Sequence, residues 1–196
     1  MKLLSVVVPC YNEQEAMRIF YDEIIKVADQ MKNDVNFEVI FVDDGSKDDT
    51  LKVARELSEK DDRIKYVSFS RNFGKESAIY AGLEKAKGDF VATMDVDLQD
   101  PPKLLVDMSQ TDKYGIYHVT NSGYCRRTEL TKYIFNISNS KCKVNEITSD
   151  EVLMHAQRPK NSRLSNKSLV ENNFEILPKW EDSIKEYIEE LEKSKV

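Results

Sequence analysis

Residues 89–102 read "DFVATMDVDLQDPP". An apolar run, Phe90 to Met94, opens into Asp95, Asp97 and Asp100 and then stops at Pro101 and Pro102. A short strand that is apolar along its whole length is buried on both faces, as strands of a parallel sheet are. In such a sheet ligands bind outside the carboxyl ends of the strands. Three carboxylates at the mouth of a buried strand therefore suggest both a fold class and a place for chemistry.

The preceding hundred residues agree. "LLSVVVP" (3–9) is a Val-rich run that predicts a buried strand. Met17, Phe20, Ile24, Val27 and Met31 follow at spacings of three and four, one face of a helix. "FEVIFVDDGS" (37–46) predicts a second strand ending in acids. Ser46 and Asp49, three apart, resemble a capping box, with a helix through Leu51, Ala54 and Leu57 behind it. "IKYVSF" (64–69) predicts a third strand. "KESAIYAGLEKAKGD" (75–89) predicts a helix with Gly88 as its stop signal. Alternating strands and helices imply an α/β fold, a parallel sheet with helices on both faces. Polar clusters then fall at four successive strand ends: Tyr11–Glu13, Asp43–Ser46, Arg71–Lys75 and Asp95–Asp97. Together they would line one crevice.

Beyond Pro102 the pattern changes to a small α+β module. "IYHVTNSG" (116–123) and "KVNEIT" (143–148) read as short strands, and Leu130, Ile134 and Ile137 as a modest helix. "HAQRPKNSRLSNKSLVENN" (155–173) reads as irregular. Trp180, Ile184, Tyr187, Ile188 and Leu191 mark a final amphipathic helix with Trp180 as its anchor.

Composition narrows the function. The net charge is -6, and residues 1–108 carry 22 acids against 15 bases. Nucleic-acid binding needs a basic stripe, so no nucleic-acid partner is expected. A phosphate ligand of that acidic half needs a cation between them. Cys10, Cys125 and Cys142 have no metal or redox spacing, and inert, mostly buried thiols of a reducing compartment are expected. No apolar run approaches a membrane span, and the first ten residues are too short for a signal peptide. The expectation is a soluble, cytoplasmic chain, with peripheral membrane binding open.

Asp95 and Asp97, one residue apart, can share a divalent cation, and all-oxygen ligands favour Mg²⁺ or Mn²⁺. Such a cation also holds a diphosphate.

The stretches "VVVPCYNE", "VIFVDDGSKDDT" and "SFSRNFGKESAIYAGLEKAKGDFVATMDVDLQDPP" resemble the nucleotide-binding half of family 2 glycosyltransferases, in the branch that transfers sugars to polyprenyl phosphates. The likeness covers residues 3–105 and ends near Leu105. It implies a GT-A, Rossmann-like fold, a nucleotide-diphosphate sugar, and Mg²⁺ or Mn²⁺. It implies that Pro9, Tyr11, Asn12 and Glu13 line the base and ribose pocket, and that Asp44 hydrogen-bonds the base or ribose. Arg71 and Lys75 would lie near ribose or phosphates, and Asp95, Asp97 and Gln99 would hold or flank the metal. The reaction implied is inverting displacement at the anomeric carbon, with a polyprenyl phosphate as a possible acceptor.

Residues 111–192, through "DKYGIYHVTNSGYC" and "RPKNSRLSNKSLVENNFEILPKWEDSIKEYIEEL", resemble the C-terminal part of dTDP-4-dehydrorhamnose reductases. That likeness implies Arg158, Asn161 and Ser162 near a nucleotide sugar. The Gly-rich turn and Tyr-x-x-x-Lys pair of a reductase are absent, so hydride transfer is not expected. The chain thus reads as a hybrid, with a donor-binding domain at 1–105 and a reductase-tail-like module at 111–196. A non-catalytic sugar-nucleotide-binding module, or an inactive fusion product, stands as the alternative.

Overall fold

The computed structural model describes residues 1–98, 102, 104–109, 113–147, 151 and 161–193. The chain forms two compact units, residues 1–112 and 113–196.

The first unit is built on four parallel strands: β1 (Lys2–Cys10), β2 (Val35–Asp43), β3 (Ile64–Ser68) and β4 (Phe90–Thr93). Their order is β3-β2-β1-β4, with Ser5 opposite Glu38 and Val7 opposite Thr93. Three helices connect them: α1 (Gln14–Met31), α2 (Thr50–Lys60) and α3 (Lys75–Lys85). This is the α/β, GT-A-like architecture, with helices on both faces of the sheet.

Alternation along the central strands β1 and β2 explains their two-sided burial. The apolar run of β4 is not buried on both faces as expected: β4 is an edge strand, with Val91 45% exposed, and the other edge strand, β3, is largely exposed too. Val6, Val8, Val39 and Phe41 pack with α1 and α2, where Met17, Phe20, Ile24, Met31, Val53, Ala54 and Leu57 are also buried. Val7, Ile40 and Val42 point the other way and meet Ala78 of α3. Each large side chain withdrawn from water contributes about 1.5–3 kcal/mol. The main core therefore lies between the sheet and α1–α2. Phe20 and Phe41 meet there edge to face, with centroids 6.0 Å apart. The periodic face of α1 is wider than the spacing suggests: Tyr21 and Ala28 are buried too, and Val27 only partly.

Two local expectations are corrected. Ser46 does not form a capping box; its Oγ accepts the Asn12 amide (3.0 Å). Asp48 instead accepts Thr50 N (3.0 Å) at the start of α2. Gly88 does not stop α3, which ends at Lys85. Its amide donates to Ser5 Oγ (2.8 Å), and a Cβ there would lie 2.7 Å from Ser5 N. A side chain is excluded because the loop runs against β1.

A short helix, α4 (Leu104–Ser109), closes the described part of the first unit. The second unit holds α5 (Arg127–Ile137), α6 (Lys167–Glu171) and α7 (Trp180–Lys193). Helices α5 and α7 follow the expected spacing, while α6 falls in the stretch expected to be irregular. The strands expected at 116–123 and 143–148 do not form among the described residues; Ser122 makes one isolated bridge to Lys179. In 116–123 the backbone groups pair singly instead: Asn166 Nδ2 donates to Thr120 O (3.0 Å), and Ser122 N donates to Pro178 O (2.8 Å). Trp180 begins α7 and packs edge to face on Tyr133, with centroids 5.3 Å apart.

Among the described residues no helix is long and apolar enough to cross a membrane. Cys10 is buried, Cys125 half-buried and Cys142 exposed, so the thiols are less uniformly buried than expected.

Candidate active site

The chain leaves β1 for β2 and β3 on one side, then crosses to β4 on the other. The crevice between the carboxyl ends of β1 and β4 is therefore the switch point of the sheet, where ligands enter α/β folds. A cleft of about 460 Å³ opens there. The end of β1 supplies Pro9, Cys10, Tyr11 and Glu13, and the end of β2 supplies Asp44. The β3–α3 segment supplies Asn72, Gly74, Lys75 and Ala78, and the end of β4 supplies Asp95, Val96 and Asp97.

Two consecutive buried carboxylates shape this rim. Asp43 accepts Ser46 N (3.0 Å) and Ser68 Oγ (3.1 Å), tying the turn after β2 to the end of β3. Asp44, 3% exposed, accepts Phe73 N (2.7 Å) and Gly74 N (2.9 Å). A buried carboxylate is tolerated when donors satisfy it, and here the donors are loop amides. Gly45 lies between these loops at φ +68°, and a Cβ there would come 2.3 Å from the carbonyl carbon of Arg71. Only glycine fits that turn.

Asp95 and Asp97 sit in the turn just past β4, which ends at Thr93, rather than on the strand itself. Strand-like alternation persists because Met94 and Val96 are drawn into the core, at 6% and 4% exposure. The two carboxylates flanking Val96 thus line the same cleft. Lys75, the first residue of α3, reaches Asp95 with Nζ 2.6 Å from Oδ2.

Two expected pocket residues stand off the cleft wall. Asn12, at φ 58°, donates its amide to Ser46 Oγ and accepts Lys47 N (2.8 Å) on its own side-chain oxygen. Arg71 lays its guanidinium over the Phe73 ring, 4.0 Å from the centroid. Gln99 and Arg158 lie outside the described residues. Asn161 and Ser162 are exposed in the second unit, where Asn161 Oδ1 accepts Arg163 N (3.1 Å).

The field in the cleft is acidic. Partial burial, followed by the charges of Asp97, Asp48 and Asp95, pushes the Glu13 carboxyl above its ordinary range. Burial, helped by Glu13, Asp43 and Asp95, pushes the Cys10 thiol far up, so it is not a nucleophile. Asp48 is a contributor that sequence reasoning missed. It accepts the Thr50 hydroxyl (2.6 Å), whose oxygen in turn accepts Glu13 N (2.7 Å), fixing the backbone of Glu13. The sequence signal was the acid-rich "KDDT" after the second strand, which resembles any polar turn.

The donor set suits a hard divalent cation in part. Asp95 and Asp97 offer oxygen only, and Mg²⁺ commonly takes one or two carboxylates plus substrate phosphates. Among the described residues no three His, Cys, Asp or Glu side chains gather closely enough to hold a metal by themselves. A cation here would therefore be completed by oxygens of a ligand.

The sequence model of Glycosyl transferase family 2 matches residues 5–157. The chain belongs to glycosyltransferase family 2. It is 45% identical over 111 residues to an uncharacterized glycosyltransferase, YkcC, of Bacillus subtilis, covering 57% of this chain and 34% of that protein. It is 34% identical over 169 residues to a prophage bactoprenol glucosyl transferase homolog of Escherichia coli, covering 82% of this chain and 55% of that protein. Among solved structures, a mannosyltransferase from Pyrobaculum calidifontis in complex with GDP-Man and Mn²⁺ superposes with a TM-score of 0.50 at 25% identity. That superposition covers 64% of this chain and 36% of the other. The chain spans from about a third to just over half of these curated relatives. The family match continues to residue 157, well past Leu105, where the sequence likeness was expected to end.

Proposed function

We propose that this chain is the donor-binding part of a metal-dependent, inverting glycosyltransferase that uses a nucleotide-diphosphate sugar, with a polyprenyl phosphate as acceptor. One observation carries the reading: in a family 2 chain, Asp95, Asp97, Lys75 and Glu13 face one cleft at the β1/β4 switch point. The likeness to a bactoprenol glucosyl transferase homolog supports the acceptor, and the GDP-Man and Mn²⁺ of the mannosyltransferase support the donor class and a divalent metal.

In this reading Pro9, Tyr11 and Glu13 face the base and ribose. Asp44 shapes that pocket and reaches the base or ribose. Asp95 and Asp97 would hold Mg²⁺ or Mn²⁺, with Gln99 as the likeness implies, and Lys75 would serve the ribose and phosphates. Arg71 would join Lys75 only by leaving the Phe73 ring. The bound cation would supply charge that spreads the negative charge of the departing diphosphate. The acceptor oxygen bonds to the anomeric carbon as its bond to the diphosphate oxygen breaks, from the opposite face. A phosphate acceptor is anionic near neutral pH, with its second pKa about 6, so no carboxylate base is required.

Thermal shift with UDP, GDP and dTDP, each with and without Mg²⁺ or Mn²⁺, tests the binding. A cation-dependent rise with at least one nucleotide is expected, and its loss in Asp97→Ala. No shift with any of them rejects the reading. Labelled sugar transfer to a short polyprenyl phosphate tests the acceptor.

A second reading treats residues 113–196, a compact unit of their own, as a sugar-nucleotide-binding module akin to dTDP-4-dehydrorhamnose reductases. It predicts dTDP binding that survives chelation and requires Arg158. The family match through residue 157 weighs against it over 113–157.

A further inference from the structure

We infer that Lys75 is a built-in counter-cation for Asp95, one that a divalent cation must displace, so that metal and diphosphate enter the cleft as a coupled pair. The inference rests on the cation-binding reading above and adds an order of events to it. Lys75 Nζ lies 2.6 Å from Asp95 Oδ2, and both residues line the cleft. Of the described residues lining it, Lys75 carries the positive charge against Glu13, Asp44, Asp95 and Asp97. A divalent cation approaching Asp95 therefore meets an ammonium already seated there.

The placement of Lys75 is not explained by its helix. It is the first residue of α3, where the helix dipole disfavours a cation. What fixes its stem is the preceding turn: Asp44 holds the amides of Phe73 and Gly74, and Gly74 takes φ 99°. From that anchor the four-carbon side chain can swing. The pair is exposed, with side chains 55% and 41% accessible, so it is worth little and exchanges readily. A diphosphate oxygen is the better partner for the released ammonium, because a charge-assisted bond to phosphate is strong. Metal alone leaves the displaced ammonium to water. Metal arriving with a nucleotide diphosphate gives Lys75 a new partner.

The test is Mn²⁺ binding to the full 196-residue chain, followed by the loss of the free-ion paramagnetic resonance signal, with and without UDP, GDP and dTDP in turn. Without nucleotide, Lys75→Gln is expected to bind Mn²⁺ about fivefold more tightly, the upper end for an exposed ion pair. Nucleotide should then raise Mn²⁺ affinity less in the variant than in the wild type, and Lys75→Arg should restore wild-type behaviour. Lys75→Met serves as a second variant if Lys75→Gln does not fold by circular dichroism. Equal or weaker Mn²⁺ binding by the folded variants without nucleotide overturns the inference alone. Absence of Mn²⁺ binding to every protein, nucleotide present or not, overturns the cation reading and this inference with it.

Discussion

Residues 1–112 and 113–196 both contain well-patterned amphipathic helices, yet their interiors differ. In the first unit α1 buries six side chains against a sheet whose central strands, β1 and β2, are themselves buried on both faces. In the second, α5 and α7 bury none, and Leu169, at 2% exposure, is the fully buried apolar side chain among the described residues. The second unit leans on isolated aromatic pairs instead: Tyr133 on Trp180 and Tyr117 on Phe174, both edge to face. A helical stripe of apolar residues shows that a face exists. Burial depth comes from long-range strand pairing, and only the first unit has it among the described residues.

The largest effect follows from that contrast. Phe41 sits at 0% exposure in the centre of β2, against Phe20. Phe41→Ala should destabilise the protein by about 3–5 kcal/mol through lost transfer energy and a cavity. Urea unfolding followed by far-UV circular dichroism measures it. A loss under about 1 kcal/mol would erase the contrast, because a core that collapses around such a deletion is not close-packed.

The thinner face of the sheet is held by polar bonds, and it gives the next effect. Glu38, 2% exposed, accepts Ser5 Oγ (2.5 Å) and Lys87 N (2.8 Å) and pairs with Lys65. Burial alone would raise its pKa, but the bonds from Lys65, Ser5 and Lys87 outweigh it and hold the carboxyl below its ordinary 4.5. A depressed carboxyl stabilises the fold above the unfolded-state value and stops doing so as pH falls through the folded-state value. Glu38→Gln should therefore lower stability at pH 7 by about 1–3 kcal/mol. The difference from wild type should shrink below about pH 4. Urea midpoints from pH 7 to pH 3 check both, and a gap independent of pH would mean that shape rather than charge is what Glu38 supplies.

How much was legible in the sequence follows the same division. Parallel strands were readable because "VVV" and "VIFV" demand burial on both sides, and α1 because its spacing, from Met17 to Met31, repeats over about four turns. The strand-end rule also gathers Asp44, Lys75 and Asp95 into one crevice, and all three line the cleft. What each of them touches was not readable. Asp44 meets amides 29 and 30 residues away, and Lys75 meets an acid 20 residues away, separations that no local pattern encodes. Misreadings cluster where a residue type has two uses. Gly88 looked like a helix stop but marks a close approach to β1, and Ser46 looked like a cap but serves the loop after β1. Val144 and Ile147 look like strand residues, but no neighbouring strand accompanies them among the described residues.

Gly82 probes the α3 face by steric means. A Cβ on it would lie 2.2 Å from Val7 Cγ1 and 3.1 Å from Val42 Cγ2. Helix propensity alone favours Ala over Gly by up to about 1 kcal/mol. Overpacking against a β-branched strand residue costs about 1–3 kcal/mol, so Gly82→Ala should be net destabilising by about 1 kcal/mol. Val7→Ala in the same chain should recover part of that loss, because it removes the atom struck. A thermal melt of the single and double variants reads the coupling; strict additivity would mean that α3 shifts freely on the sheet.

The smallest effect belongs to the second unit. Tyr133 packs edge-on against Trp180 at 5.3 Å and donates its hydroxyl to Glu181 O (3.3 Å), a long bond. Both residues are half-buried, so removing the ring forfeits little area. Tyr133→Leu keeps an apolar body at the site and loses the ring pair, worth about 0.5–1.5 kcal/mol. Trp180 is the single tryptophan of the chain, which makes its fluorescence a reporter confined to this unit. The expected result is a red shift of its emission and a urea midpoint lowered by well under the change seen for Phe41→Ala. A loss as large as that of Phe41→Ala would mean that the aromatic pair is the core of 113–196, and that the contrast between the two units is one of chemistry rather than of depth.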